Sequence, residues 1–256
     1  MLSAKELKML GSLKQKKYRE QEGKFLIEGF HLVEECLSSS FYLKKIIVSN
    51  DTDENKLENI KKKFKNIIPE ITEISPRQFK KISETENPQG IIGVVGIPSK
   101  LPNTEEKSGN LIIALDRIND PGNLGTIIRT AYWFGADRIL AGKNSADIYN
   151  SKVIRSSQGG IFHIEIQPDC TLEEELKKYR KSGFNVYLFT LDAEKYLDEI
   201  KNVDKSVLVF GNETEGISSG LFNHDYQKVK IRGFSSCESL NAAISSAIGL
   251  YHFRNK

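Results

Sequence analysis

Cysteine is scarce in this chain of 256 residues. Cys36, Cys170 and Cys237 are odd in number and far apart, which argues against a disulfide framework. The four histidines are scattered and no CxxC or HxxxH spacing occurs, so no metal site is expected. No apolar run approaches the roughly 18 residues that a membrane helix needs. Residues 1–19 are basic and helical in pattern but contain no apolar h-region, so they do not read as a secretory signal. The cytoplasm is the expected compartment. The glycine-rich fingerprints of common nucleotide sites are missing as well. Gly122-Asn123-Leu124-Gly125 lacks the GxGxxG spacing, and there is neither a P-loop GxxxxGK[ST] nor a GxSxG elbow. Any nucleoside-bearing ligand is therefore held by another route.

What is present is an ordinary globular composition, 39% apolar and 28% charged, long enough for a substantial core. The net charge of +3 is mild, but its distribution is not. Residues 1–24 hold Lys5, Lys8, Lys14, Lys16, Lys17, Arg19 and Lys24 against Glu6, Glu20 and Glu22. That arm is +4 and the remainder −1. Its charge suits phosphate-rich nucleic acid, and equally a solvated helix face.

Leu7, Leu10 and Leu13 mark an amphipathic helix within the arm. Helical patterns follow at 30–37, 54–64 and 77–82, the last opened by Ser75-Pro76, with strand patterns at 46–48, 67–74 and 91–97. Residues 1–98 thus read as a basic helix and a small α/β unit. Residues 99–110 are rich in proline, glycine and charge and read as a linker. From 111 to 256, strands are expected at 111–115, 138–141, 162–166, 185–190, 207–210 and 228–231. Helices are expected at 124–134, 150–157, 172–181 and 239–253. Runs that are apolar without alternation suit parallel strands covered on both faces, so the fold class is α/β.

Three short blocks carry polar groups where a core would want none. In the first, a strand ending at Asp116 is followed by Asp120-Pro121-Gly122-Asn123 and a helix. Asn123 sits at the helix mouth, where backbone N–H groups favour an anion, or where it caps the helix. Arg129 lies about 140° round from Leu124 at 3.6 residues per turn, away from the apolar face. In the second, a strand stops at Gly211 and continues Asn212-Glu213-Thr214-Glu215-Gly216, a turn of the kind that forms the binding crevice of α/β sheets, or a plain polar turn. In the third, Glu238-Ser239-Leu240-Asn241 leads into a helix, with Ser239 as its expected cap. That helix shows an apolar stripe of Leu240, Ile244, Ala247, Ile248 and Tyr251, and small residues suited to close helix–helix approach.

Together these blocks resemble the signature of the SpoU family of SPOUT-class RNA methyltransferases, and the resemblance covers the whole chain. Asn123 and Arg129 match the first motif, Gly211-Asn212-Glu213 with Glu215-Gly216 the second, and Ile231 through Ser239-Leu240-Asn241 the third. Residues 22–97 resemble the ribosomal-protein-like, substrate-binding domain of the rRNA-directed branch, and 153–159 resemble a family segment between motifs. The resemblance implies a trefoil-knotted C-terminal domain with a parallel sheet. It implies S-adenosyl-methionine bound by Gly211, Ile231 and Leu240, with Thr190 adding to the pocket, and a ribose 2′-hydroxyl of RNA as acceptor. Arg129 corresponds to the family's essential arginine, with Asn123, Glu213, Ser239 and Asn241 around the reacting centre. A homodimer through the C-terminal helix is expected. One departure stands out. The family usually has Ile-Pro-Met or similar where this chain has Ile231-Arg232-Gly233-Phe234-Ser235, so the loop there is expected to differ. The rival readings are the same chemistry on tRNA, against which the N-terminal domain speaks, and a catalytically silent RNA-binding or ribosome-assembly protein. The complete Asn123, Arg129, Glu213 and Asn241 set speaks against the latter.

Overall fold

The computed structural model describes residues 2–98, 109–201 and 204–254. The first unit contains α1 (Ala4–Ser12), α2 (Lys16–Glu22), β1 (Lys24–Glu28), α3 (Phe30–Leu37), β2 (Leu43–Ser49), α4 (Glu54–Lys63), β3 (Ile71–Ile74), α5 (Pro76–Ile82) and β4 (Ile91–Gly96). Its helix starts follow from local chemistry. Ser3 with Glu6, and Ser75 with Gln78, form capping boxes, and Pro76 occupies a first-turn position that needs no N–H. The sheet runs β1-β4-β2-β3, and strand alternation sorts its side chains onto two faces. Phe25, Ile27, Ile46, Val48 and Val95 pack on the side of α3 and α4. Ile47, Ile92 and Val94 pack on the other side, with Leu7 and Leu10 of α1 and Phe79 and Ile82 of α5. The expected strand at 67–74 shortens to its last four residues, because Ile67 and Ile68 follow α4 in a hydrogen-bonded turn and Ile67 is exposed.

Most of the expected linker, residues 99–108, lies outside the described residues. The second unit holds β5 (Leu111–Asp116), α6 (Pro121–Trp133), β6 (Arg138–Gly142), α7 (Ser151–Ser157), β7 (Glu165–Cys170), α8 (Leu172–Lys181), β8 (Asn185–Phe189), β9 (Lys195–Tyr196), β10 (Ser206–Gly211), β11 (Gln227–Lys230) and α9 (Ala242–Arg254). Among the described residues its seven strands are all parallel, in the order β7-β6-β5-β10-β8-β11-β9. A small α/β unit followed by a parallel α/β sheet is the fold class expected. The strand expected at 162–166 is displaced: Gly160–Phe162 is a turn of 3-10 helix, and the strand begins at Glu165. Phe162 and Ile164 are apolar because they pack into the core, not because they pair. Pro168 is tolerated in β7 because that strand is at the sheet edge.

The last helix reverses an expectation. It starts at Ala242, and the face it buries is Ala242, Ala243, Ser246, Gly249, Leu250 and Phe253. A Cβ on Gly249 would lie 2.9 Å from Phe189 and 3.0 Å from Phe210, so the small residues serve the chain's own core. Leu240, Ile244 and Tyr251 of the expected stripe point outward.

One hydrophobic core runs through both units. Phe25 of β1 stacks on Tyr149 with ring centres 4.6 Å apart, and Phe41 meets Phe162 edge-on at 5.2 Å. Arg19 of α2, only 5% exposed, donates to the carbonyls of Leu13 and Lys14 at 2.8 Å and pairs with Asp147 of the second unit.

Candidate functional site

Because the strands are parallel, their C-terminal ends lie along one edge, and the polar blocks leave from there. β5 ends at Asp116, which is 6% exposed and accepts from both N–H and Oγ of Ser218 at 2.6 Å. Arg117 follows with φ 59, a left-handed conformation that costs a non-glycine residue about 1 kcal/mol. Three contacts hold it there. Its carbonyl accepts from Asn212 Nδ2 at 3.0 Å, its guanidinium pairs with Glu215, and Nη2 donates to the Gly216 carbonyl at 3.3 Å. Asp116 Oδ1 sits 3.4 Å from its Nε. The end of β5 is thereby latched to the turn after β10.

That turn is closed by reciprocal backbone bonds between Asn212 and Gly216, at 3.1 and 2.9 Å. Asn212 Oδ1 accepts from the N–H groups of Thr214 and Glu215 at 2.9 and 3.1 Å. Glycine is required at 211 by close approach: a Cβ would lie 2.3 Å from the Gly216 carbonyl carbon.

Asp120, not Asn123, caps α6, its carboxylate accepting the Asn123 N–H at 2.8 Å. That backbone donor chiefly holds the Asp120 carboxyl below its ordinary value; desolvation pulls the other way and Lys152, 3.2 Å off, assists. Asn123 is consequently free to reach across. Asn241 Oδ1 accepts from the N–H groups of Ala243 and Ile244 at 2.9 and 3.3 Å, so Asn241 is the residue that caps α9. Its Nδ2 must then donate, and does so to Asn123 Oδ1 at 3.0 Å. Asn123 Nδ2 in turn donates to the Glu213 carboxylate. Asn241, Asn123 and Glu213, from three separate blocks, form one hydrogen-bonded chain with its amide orientations set by the backbone of α9.

Two residues expected at the reacting centre stand apart from that chain. Arg129 is six residues beyond Asn123, about 9 Å along α6 and about 120° round. It is exposed, and among the described residues no hydrogen bond or ion pair holds its guanidinium. Ser239 is exposed and does not cap α9; its carbonyl accepts from Cys237 Sγ at 3.4 Å. Ser239 is not the cap because the helix begins only at Ala242, so Asn241 is the side chain within reach of the first free N–H groups.

Thr190, Gly211 and Ile231 lie at the ends of β8, β10 and β11, which are neighbours in the sheet. The Thr190 N–H donates to the Val229 carbonyl at 3.0 Å. Leu240 is 46% exposed on the open segment before α9, and Leu191 is exposed beside Thr190. In the segment that departs from the family pattern, the Arg232 guanidinium carbon sits over the Tyr196 ring, 3.7 Å from its centre, and its nitrogen lies 3.3 Å from Asp198. Phe234 stands 93% exposed. Sequence reasoning missed the Arg117 latch, for which a lone arginine after a strand offers no signal. It also missed the Asp120 cap, which the Asp-Pro pair at a helix start does signal.

The SpoU rRNA Methylase family matches residues 110–251, and the MRM3-like substrate binding domain matches residues 4–93. The 23S rRNA (guanosine(2553)-2′-O)-methyltransferase RlmP of Bacillus subtilis is 34% identical, covering 93% of this chain and 92% of its own length. A TrmH-family RNA methyltransferase from Porphyromonas gingivalis, described as putative, superposes with TM-score 0.83 at 30% identity, over 99% of this chain and 98% of the other. An AdoMet-bound rRNA methyltransferase from Sinorhizobium meliloti superposes with TM-score 0.85 at 28% identity, over 99% and 96% of the two chains.

Proposed function

From the premise that the chain belongs to the SpoU rRNA methylase family, we propose that it transfers a methyl group from S-adenosyl-methionine to a ribose 2′-hydroxyl of ribosomal RNA. The observation that carries this reading is the Asn241–Asn123–Glu213 chain at the C-terminal edge of a parallel sheet. Beside it, the strand ends at Thr190, Gly211 and Ile231, with exposed Leu191 and Leu240, fit a nucleoside cofactor that needs apolar walls and close backbone. When bound, the cofactor supplies a methyl group on a sulfonium leaving group. The protein's task is then largely orientation. Glu213 and Asn123 would position the ribose hydroxyl, with Asn241 fixing the Asn123 amide and Ser239 contributing from the open segment. The Arg129 guanidinium would grip the adjacent phosphate bidentately and stabilise the developing alkoxide.

The reading extends to organisation. Residues 1–98 would be the RNA substrate domain, 99–110 the linker and 111–256 the methyltransferase domain, its chain threaded as a trefoil knot. A homodimer would cover an apolar surface made by Tyr132 and Trp133 of α6 with Ile244 and Tyr251 of α9; Trp133 alone is 83% exposed. Arg129 shares its helix face with Tyr132 and Trp133 at the i, i+3, i+4 spacing, so a covering copy would meet it directly. No metal is invoked, and the cytoplasm is the proposed compartment. The test is Arg129→Ala, assayed by calorimetry with S-adenosyl-methionine and by methyl incorporation into rRNA. Cofactor binding should persist and methyl transfer should be lost; retained turnover would remove Arg129 from the mechanism.

A further inference from the structure

The cations of the first unit are sorted unevenly between its two helical faces. On α4, Lys56, Lys61 and Lys63 are paired with Asp53, Glu58 and Glu34 at 3.7, 2.7 and 2.8 Å, which leaves Lys62, and Lys65 just beyond the helix, exposed and outside any ion pair among the described residues. On the opposite face, Lys5 and Lys8 of α1 and Arg77, Lys80 and Lys81 of α5 are exposed. Among the described residues none of these five is in an ion pair. Arg77, Lys80 and Lys81 follow the i, i+3, i+4 spacing and so share one side of α5.

This face connects to the candidate site by contact. α1 and α5 converge at their C-terminal ends, where a Cβ on Gly11 would lie 3.4 Å from the Lys81 carbonyl and Lys14 Nζ donates to the Ser83 carbonyl at 2.8 Å. The next residue, Glu84, accepts from Ser151, the first residue of α7. Lys152 then reaches Asp120 at 3.2 Å, and Asp120 holds the Asn123 N–H. A shallow cleft runs along this seam, lined in part by Lys14, Glu84, Ser151 and Arg155. Basic side chains therefore lead outward from Asn123: Lys152 and Arg155, then Lys14 and Lys81, then Lys80 and Arg77. No large exposed apolar side chain belongs to α1 or α5, so nothing on this face would anchor a folded protein or a membrane.

We infer that the α1–α5 face carries the RNA strand flanking the reacting ribose, its phosphates meeting this row of cations. The inference rests on the reading of RNA as substrate and adds where that RNA runs. Such contacts hold and orient RNA without reading its sequence. They release counterions on binding, and they are made alike in the ground and transition states.

The test compares two charge reversals in the full chain: Arg77→Glu with Lys80→Glu and Lys81→Glu on α5, and Lys61→Glu with Lys62→Glu and Lys65→Glu at the α4 end. The corresponding glutamine variants are run beside them, in case a reversal unfolds. The probe is an unmodified large-subunit rRNA transcript, with binding followed across a KCl series and methyl incorporation followed at fixed salt. The α5 set should make the slope of log affinity against log salt shallower by about 2, three contacts at ~0.7 each. It should raise KM by about tenfold or more, leaving kcat and S-adenosyl-methionine binding unchanged. The α4 set should behave like the wild type. An α5 variant with unchanged slope and KM, or an α4 variant that weakens binding as much, overturns the assignment of the face. A wild-type chain that binds no transcript overturns both this inference and the RNA reading beneath it.

Discussion

Replacing Gly211 by alanine tests how the turn bearing Glu213 is held. The added Cβ would lie 2.3 and 2.4 Å from the Gly216 carbonyl carbon and oxygen and 2.5 Å from the Ile217 nitrogen. All three are backbone atoms, so no rotamer change relieves the overlap. Ordinary carbon contacts begin near ~3.5 Å, so something must retreat by about 1 Å. β10 resists, since it is paired with β5 on one side and β8 on the other. The 212–217 turn must give instead, against the Asn212–Gly216 bonds and the Arg117 latch. Overpacking of this kind costs about 1–3 kcal/mol, to be read from urea unfolding. A shift of about 1 Å in Glu213 should lower single-turnover methyl transfer about 100-fold. Gly233→Ala is the control: among the described residues nothing lies within 4 Å of its Cβ position, so stability should stay within about 0.5 kcal/mol. If Gly211→Ala matched the control in both stability and turnover, the close approach and the latch would not be positioning Glu213.

Two further substitutions probe the supports of the site. Asp120→Ala should cost about 1 kcal/mol as a lost cap, whereas Asp120→Asn should cost much less. The Asp120 carboxyl is held below its ordinary value of 3.8, so its share of stability is complete above about pH 4 and fades as pH falls through the lowered value. Urea midpoints between pH 5 and pH 3 should therefore fall more steeply for the wild type than for Asp120→Asn. Arg19→Met should destabilise by about 3–5 kcal/mol, since it strands Asp147 and the Leu13 carbonyl in a buried seam. An unchanged unfolding midpoint would show that the two units are not fastened at this point.

Much of this was legible in the residues. Apolar runs without alternation marked the parallel strands, and the three blocks marked the edge from which Asn123, Glu213 and Asn241 meet. What escaped depended on distances between segments far apart in the chain. Arg117 holds its left-handed backbone only because Asn212 and Glu215, some hundred positions away, receive it. Periodicity points to the wrong face of α9 because it reports where large apolar residues lie. Here burial went to alanine, serine and glycine, which let the helix sit against Phe189 and Phe210. Asn241 takes the cap position expected of Ser239 and anchors the polar chain at once.

The most direct test of the central claim is to incubate an unmodified large-subunit rRNA transcript with the protein and S-adenosyl-methionine, then map methylation by nuclease digestion and mass spectrometry. The expected result is methylation of a ribose 2′-oxygen at a defined nucleotide, absent with Asn123→Ala. Methyl groups found on bases, or no incorporation by a protein that binds both cofactor and RNA, would contradict it.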